Sequence, residues 1–243
     1  MADLDGTSSA SSSARDFDLA AERDACGIGF VAHVDGRARR SIVAMALEGL
    51  AGVKHRGAVA ADARSGDGAG ILTQIPRELA AVWAGELGAG AVDPTRTGLA
   101  MLFLQAGEGD ADRAARAAAR DGFAAACAAE GVELVGFRTV PTDPEAIGEI
   151  ALAAQPALEQ AVLLRPADTH DREAERLAYR IRRRARKAAE AAGARFYAAS
   201  CSFLTVTYKA MADADQLDAF YPDLRDPRFA SALQLSEEVQ SKA

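Results

Sequence analysis

Residues 26–34 read CGIGFVAHV. Small residues open the run and apolar ones then alternate, which predicts a β-strand with Ile28, Phe30 and Ala32 on one face. Asp35-Gly36 supplies the turn that ends it. Ser41 stands where it can cap a helix over SIVAMALEGLAGV (41–53), in which Val43, Leu47 and Leu50 recur at helical spacing. HRGA (55–58) follows, and SGDGAG (65–70) runs directly into the strand-like ILTQI (71–75). Pro76 stops that strand, and RELAAVWAGEL (77–87) forms a helix.

Toward the C-terminus the pattern becomes regular. GLAMLFLQ (98–105) reads as a strand, DADRAARAAARDGFAAACAAEG (110–131) as a helix with Arg113, Arg116 and Arg120 on one face, and VELVGFRTV (132–140) as a strand. After a connection punctuated by Pro141, Pro144 and Pro156 the theme repeats: EQAVLLRP as strand, DREAERLAYRIRRRARKAAEAAG as helix, ARFYAASC as strand. Two strand–helix–strand units in succession predict a ferredoxin-like βαβ-βαβ region around 99–201 within an α+β fold. SFLTVTY continues as strand, ADADQLDAF is a short helix, YPDLRDPRF is turn-rich, and SALQLSEEVQSKA (231–243) reads as a polar tail. On the other side of Cys26, residues 1–25 divide into a Ser-rich and an acidic stretch with few large apolar side chains, and read as a leader.

The composition, 49% hydrophobic and 26% charged over 243 residues, is that of a globular protein able to bury a core without staples. A formal net charge of −7 lacks the basic footprint of a nucleic-acid surface. No apolar run approaches the ~18 residues of a membrane span, and the N-terminus lacks a secretory pattern. The three cysteines, Cys26, Cys127 and Cys201, form neither a disulfide framework nor a zinc or iron–sulfur spacing. These features predict a cytoplasmic protein handling small molecules, without nucleic-acid or membrane partners.

Cys26 stands at the boundary between leader and strand. It reads either as a small buried hydrophobe or as a nucleophile. If the leader were removed, thiol and α-amine would share one residue. The amine, whose ordinary pKa is about 7.7–8.0, could then act as general base without a catalytic histidine. HRGA alone reads as a helix end with a solvated basic pair and a capping glycine. GDGAG lacks phosphate-loop spacing and precedes a strand, so it reads as a tight Asp67-Gly68 turn whose glycines allow close backbone approach. Arg182–Arg184 reads as solvated surface, and Cys127, four residues from Phe123, as core. Cys201, in a strand-like run, also reads as packed inside.

Taken in order, these segments resemble one family. ERDACGIGFVAHVDGRARRSIVAMALEGLAGVKHRGA followed by SGDGAGILTQIPREL is similar to the start of glutamate synthase large subunits. The likeness resumes at RLAYRIRRRARKA, at Phe196-Tyr197, at Tyr208-Lys209 and at DQLDAFYPDLRDPRFASAL. The resemblance implies a class II glutamine amidotransferase domain of the N-terminal-nucleophile hydrolase type, with two antiparallel sheets between helix layers (αββα). It implies a propeptide over 1–25, Cys26 as nucleophile with its freed amine as base, Arg56 and Gly57 lining the glutamine pocket, and Gly66, Asp67, Gly68 and Gly70 in a turn beside it. The expected substrate is L-glutamine. FMN and an iron–sulfur cluster would serve other domains of the family, with electrons from a small NADPH-dependent subunit or ferredoxin.

The chain departs from the family pattern at Leu204, where the family has arginine, and at Ala210, where it has glycine. The family continues after its SAL equivalent with an H-x-R-[FY]-S-T-N strand and a later H-N-G-E run, where this chain gives SEEVQSKA. Residues 26–243 are therefore expected to be the N-terminal part of the domain, truncated and nearly inactive alone. A standalone amidase and a non-catalytic module that pairs with a downstream fragment are the alternatives.

Overall fold

The computed structural model describes residues 27–52 and 60–238. In chain order these form β1 (Gly27–Ala32), α1 (Arg40–Gly52), β2 (Ala69–Gln74), α2 (Arg77–Glu86), β3 (Thr97–Leu104) and α3 (Asp110–Ala129). There follow β4 (Glu133–Thr139), α4 (Glu149–Ala153), β5 (Ala157–Leu164), α5 (Asp171–Ala191), β6 (Phe196–Ser202), β7 (Thr205–Ala210), α6 (Leu217–Phe220) and β8 (Leu233–Glu238). The fold is α+β, with two four-stranded antiparallel sheets of order β4-β5-β3-β6 and β1-β8-β2-β7.

The first sheet grows from the most apolar strands. β3 and β5 are buried at almost every position, as central strands covered on both faces must be. One set of their side chains, Ala100, Leu102, Leu104, Ala161 and Leu163, packs against Phe123 and Cys127 of α3 and Ile181 and Ala185 of α5. These helices meet through alanine and glycine: a Cβ on Gly122 would stand 3.0 Å from that of Ala188. The alternate set, Leu99, Met101, Leu158 and Val162, joins a second core with Ile71 of β2, Val206 and Tyr208 of β7, Val43 and Leu50 of α1 and Trp83 of α2. That second core connects the two sheets.

A buried polar network crosses it. Arg138 on β4 grips Asp223 at 2.9 Å from each of Nη1 and Nη2, and its Nη1 donates to Gln160 Oε1 at 2.6 Å. Gln160 Nε2 donates to Tyr208 Oη at 2.9 Å, and Tyr208 donates to Asp223 Oδ2 at 2.9 Å. The Arg138 guanidinium lies over the Trp83 ring at 3.8 Å. β4, β5, β7, α2 and the turn at Pro222–Arg225 are thereby tied at one point. Arg120, one of the three arginines expected on one helix face, pairs with the buried Glu159 while its own side chain stays partly exposed.

Three details differ from the sequence reading. Ser41 lies inside α1, which starts at Arg40 directly after an antiparallel bridge between Arg39 and Ser231, so backbone pairing sets the helix start. The proline-punctuated connection holds the five-residue helix α4. The largest correction concerns the polar tail. Residues 233–238 form β8, inserted between β1 and β2. Its alternation is inverted relative to ordinary patterning: Gln234 and Ser236 are buried, Ser236 facing the Ala46 carbonyl of α1, whereas Leu235 is 40% exposed. Ile28 and Phe30 share a face as expected, yet both are 66% exposed, with Phe30 opposite Leu235 in the register.

Candidate functional site

A cavity of ≈ 570 Å³ opens between the two sheets. β2, β7 and β8 contribute Gly70, Leu72, Thr207, Lys209, Leu235 and Glu237 to its lining, and Phe103, Leu158 and Ala199 come from the other sheet. α4 and the residues around it add Ile147, Ala151 and Gln155. It is a largely apolar hollow with a few converging polar groups, the usual character of a small-molecule site.

The expected turn forms part of its wall, since Asp67, Gly68 and Gly70 all line the cavity. Gly66 and Gly70 answer to close approach. A Cβ at Gly66 would fall 2.5 Å from both the Ala212 carbonyl carbon and the Asp213 nitrogen, and one at Gly70 would fall 2.9 Å from Lys209 Cβ. Gly68 has φ +149°, a backbone conformation that side chains disfavour. The three glycines thus let β2 start hard against the end of β7, with Ala69 paired to Ala210.

Just upstream, Asp62 and Ser65 join this turn to α4. The Asp62 carboxylate accepts from the Ser65 hydroxyl at 2.5 Å and the Ser65 amide at 2.8 Å, and from the Ile150 amide at 3.1 Å. Ser65 Oγ accepts from the Ala151 amide at 3.0 Å. These bonds, that of the Ser65 hydroxyl foremost, hold the Asp62 carboxyl well below the usual carboxylate range. Gly148 is needed here, because a Cβ would sit 2.4 Å from both Asp62 Oδ2 and Ser65 Oγ.

Lys209 is the cavity's cationic group, donating from Nζ to Tyr197 Oη at 2.7 Å with the ammonium 4.5 Å from the ring centroid. Its own carbonyl accepts from Tyr221 Oη at 2.8 Å. Neither Lys209 nor Glu237 was singled out from sequence as a site residue. The strand alternation through TYKA could have directed Lys209 to the same face as Thr207, but the partner wall comes from the other sheet.

Cys26, Arg56 and Gly57 lie outside the described residues, as does His55. Of the other thiols, Cys127 is buried and burial pushes it up to about 12, and Cys201 is half-buried with its thiol raised mainly by desolvation. Both are therefore poor nucleophiles. Leu204 lies in the bend between β6 and β7, where its carbonyl accepts from the Ile75 amide, and Ala210 lines the cavity. Among the described residues no group of three His, Cys, Asp or Glu side chains converges on a metal position. No helix among them is long and apolar enough to cross a membrane.

A family profile described as "Glutamine amidotransferases class-II" matches residues 26–241. The chain is 37% identical over 232 residues to the glutamate synthase [NADPH] large chain of Azospirillum brasilense, covering 95% of this chain and 15% of that protein. It is 35% identical over 216 residues to the chloroplastic ferredoxin-dependent glutamate synthase 2 of Arabidopsis thaliana, covering 88% and 13% respectively. With the glutamate synthase [NADPH] large chain of Bacillus subtilis the identity is 34% over 215 residues, 88% of this chain and 14% of the relative. The chain thus spans about a seventh of the length of these relatives. The match over nearly all residues from Cys26 onward makes the conclusion plain: this chain belongs to the class-II glutamine amidotransferases.

Proposed function

We propose that this chain is the glutamine-hydrolysing portion of a glutamate synthase large chain, and that residues 1–25 are a propeptide whose removal exposes Cys26. The observation that carries the reading is the cavity wall itself. The Gly66–Gly70 turn borders a hollow large enough to hold an amino acid, and it does so on the sheet that also holds β1, the strand that follows Cys26 in sequence. In finer classification the chain is an αββα N-terminal-nucleophile hydrolase layer structure, with residues 99–201 as its ferredoxin-like part.

In this mechanism the α-amine of Cys26 takes the thiol proton, and the sulfur attacks the side-chain amide carbon of L-glutamine. The amine returns the proton to the departing nitrogen, so ammonia leaves and a thioester remains. Water then adds to the thioester, releasing glutamate and restoring the thiol. Arg56 and Gly57 line the substrate pocket, with Asp67 and the glycines of its turn beside them. FMN and the iron–sulfur cluster belong to other segments of such an enzyme, as does the docking of a small NADPH-dependent subunit or ferredoxin. The acidic, cysteine-poor chain suits the cytoplasm, although a chloroplast is the address of several relatives.

The test is covalent. A glutamine-like diazoketone should label Cys26 of the leader-free chain, with protection by L-glutamine and silence in Cys26→Ala. Cys127 and Cys201, with their raised thiols, should stay unlabelled. Equal labelling of all three cysteines, or full activity in a form that retains residues 1–25, would refute the mechanism.

A further inference from the structure

One row of side chains crosses the β1-β8-β2-β7 sheet at Gly70. The register sets Gly70 opposite Glu237 on β8 and opposite Lys209 on β7, and all three line the cavity. An acid and a base therefore flank a position that has no side chain. Nothing larger than glycine fits between them, since a Cβ on Gly70 would meet Lys209 Cβ at 2.9 Å and the Tyr208 carbonyl oxygen at 3.2 Å. We infer that Lys209 and Glu237 bracket the two charges of an α-amino acid over Gly70, Lys209 receiving the carboxylate and Glu237 the ammonium. These are not the residues to which the family resemblance assigns the glutamine pocket.

Two strand spacings of about 4.8 Å separate the Lys209 and Glu237 backbones by roughly 10 Å, with Gly70 between them. Lys209 is prepared for this role: its ammonium rests on the Tyr197 ring and donates to a hydroxyl, not to a carboxylate that would neutralise it. Beyond the bracket the lining turns apolar at Leu72, Phe103 and Leu158, which suits the methylenes of an amino-acid side chain. The naming of glutamine as that amino acid rests on the amidotransferase reading; the bracket does not.

NMR titration of the full chain tests the pairing with L-glutamine and two analogues that each lack one charge. 4-Aminobutanamide has no carboxylate, and 4-carbamoylbutanoate has no amine. The unaltered chain should prefer glutamine to either by about tenfold or more, the usual worth of one charge-assisted contact. Lys209→Gln should bind glutamine and 4-aminobutanamide alike, Lys209→Arg should restore part of the difference, and Glu237→Gln should equalise glutamine and 4-carbamoylbutanoate. Both positions are surface-accessible, and unchanged circular dichroism would show that the variants fold. Variants that keep the discrimination of the unaltered chain would overturn the bracket while leaving the glutamine reading intact. Binding of a different L-amino acid, with the same dependence on Lys209 and Glu237, would uphold the bracket and refute glutamine as its ligand. If no L-amino acid in a full panel shifts a resonance of the unaltered chain, the bracket is refuted.

Discussion

Asp223→Ala should be among the most damaging single substitutions in this protein. The aspartate is 8% exposed and Arg138 13%, so removal of the carboxylate strands a guanidinium in a low-dielectric interior. It also leaves the Tyr208 hydroxyl without its acceptor. Breaking one side of such a pair costs about 3–5 kcal/mol, a fifth or more of the roughly 5–15 kcal/mol that holds a domain folded. At a urea slope of about 3 kcal/mol/M the midpoint should fall by about 1–1.7 M. Arg138→Met should cost a similar amount, but Asp223→Ala with Arg138→Met should cost clearly less than the sum, with a coupling of at least about 2 kcal/mol. Trp83, the only tryptophan, lies under the Arg138 guanidinium and reports both native environment and unfolding. The reasoning fails if Asp223→Ala costs under about 1 kcal/mol, or if the cycle is additive to within about 0.5 kcal/mol.

Gly66→Ala should destabilise by about 2 kcal/mol or more, because its Cβ would collide with backbone atoms at Ala212 and Asp213 that have nowhere to go; urea denaturation reads the loss. Gly49→Ala is the opposite case: its Cβ meets open space within α1, so helix propensity should raise stability by roughly 0.5–1 kcal/mol in the same assay. Burial, and after it the charge of Asp223, raises the phenols of both Tyr208 and Tyr221 above their ordinary value. The native state therefore holds protons that the unfolded chain releases above about pH 10, so this stability is complete below that pH and declines as pH rises beyond it. Urea midpoints between pH 8 and 11.5 should show the decline, and Tyr208→Phe should flatten it.

The strand–helix–strand units over 97–202 were legible because α3 and α5 each carry one long helical period and β3 and β5 are short runs buried almost throughout. α4 was not, since five residues are too few to show a period. β8 was misread for a physical reason: Gln234 and Ser236 turn inward and Leu235 outward, so the alternation carries the wrong sign for a surface rule. Of the site, the Asp67-Gly68 turn was legible as a type of structure, but not the atoms that demand its glycines, which arrive from 209–213. Lys209 and Glu237 escaped notice because only the register brings them to either side of Gly70. The Arg138–Asp223–Tyr208–Gln160 network could not be read from sequence at all, as its members share no local pattern.

The central position of β8 also sets a timetable. Among the described residues β1 pairs with β8 alone, Gly27 opposite Glu238, so the strand next to Cys26 gains this sheet partner only when the far end of the described chain has been made. At about 5–20 residues per second, a ribosome needs roughly 10–40 s to cover those two hundred or so residues. β2 and β7 can pair and the other sheet can close during that interval, while the N-terminal strand waits unpaired. If Cys26 is the nucleophile and residues 1–25 its propeptide, as proposed, a thiol freed in that window would be unsheltered. The order of synthesis would then favour cleavage before Cys26 after the arrival of β8, making completion of the sheet the event that arms the thiol.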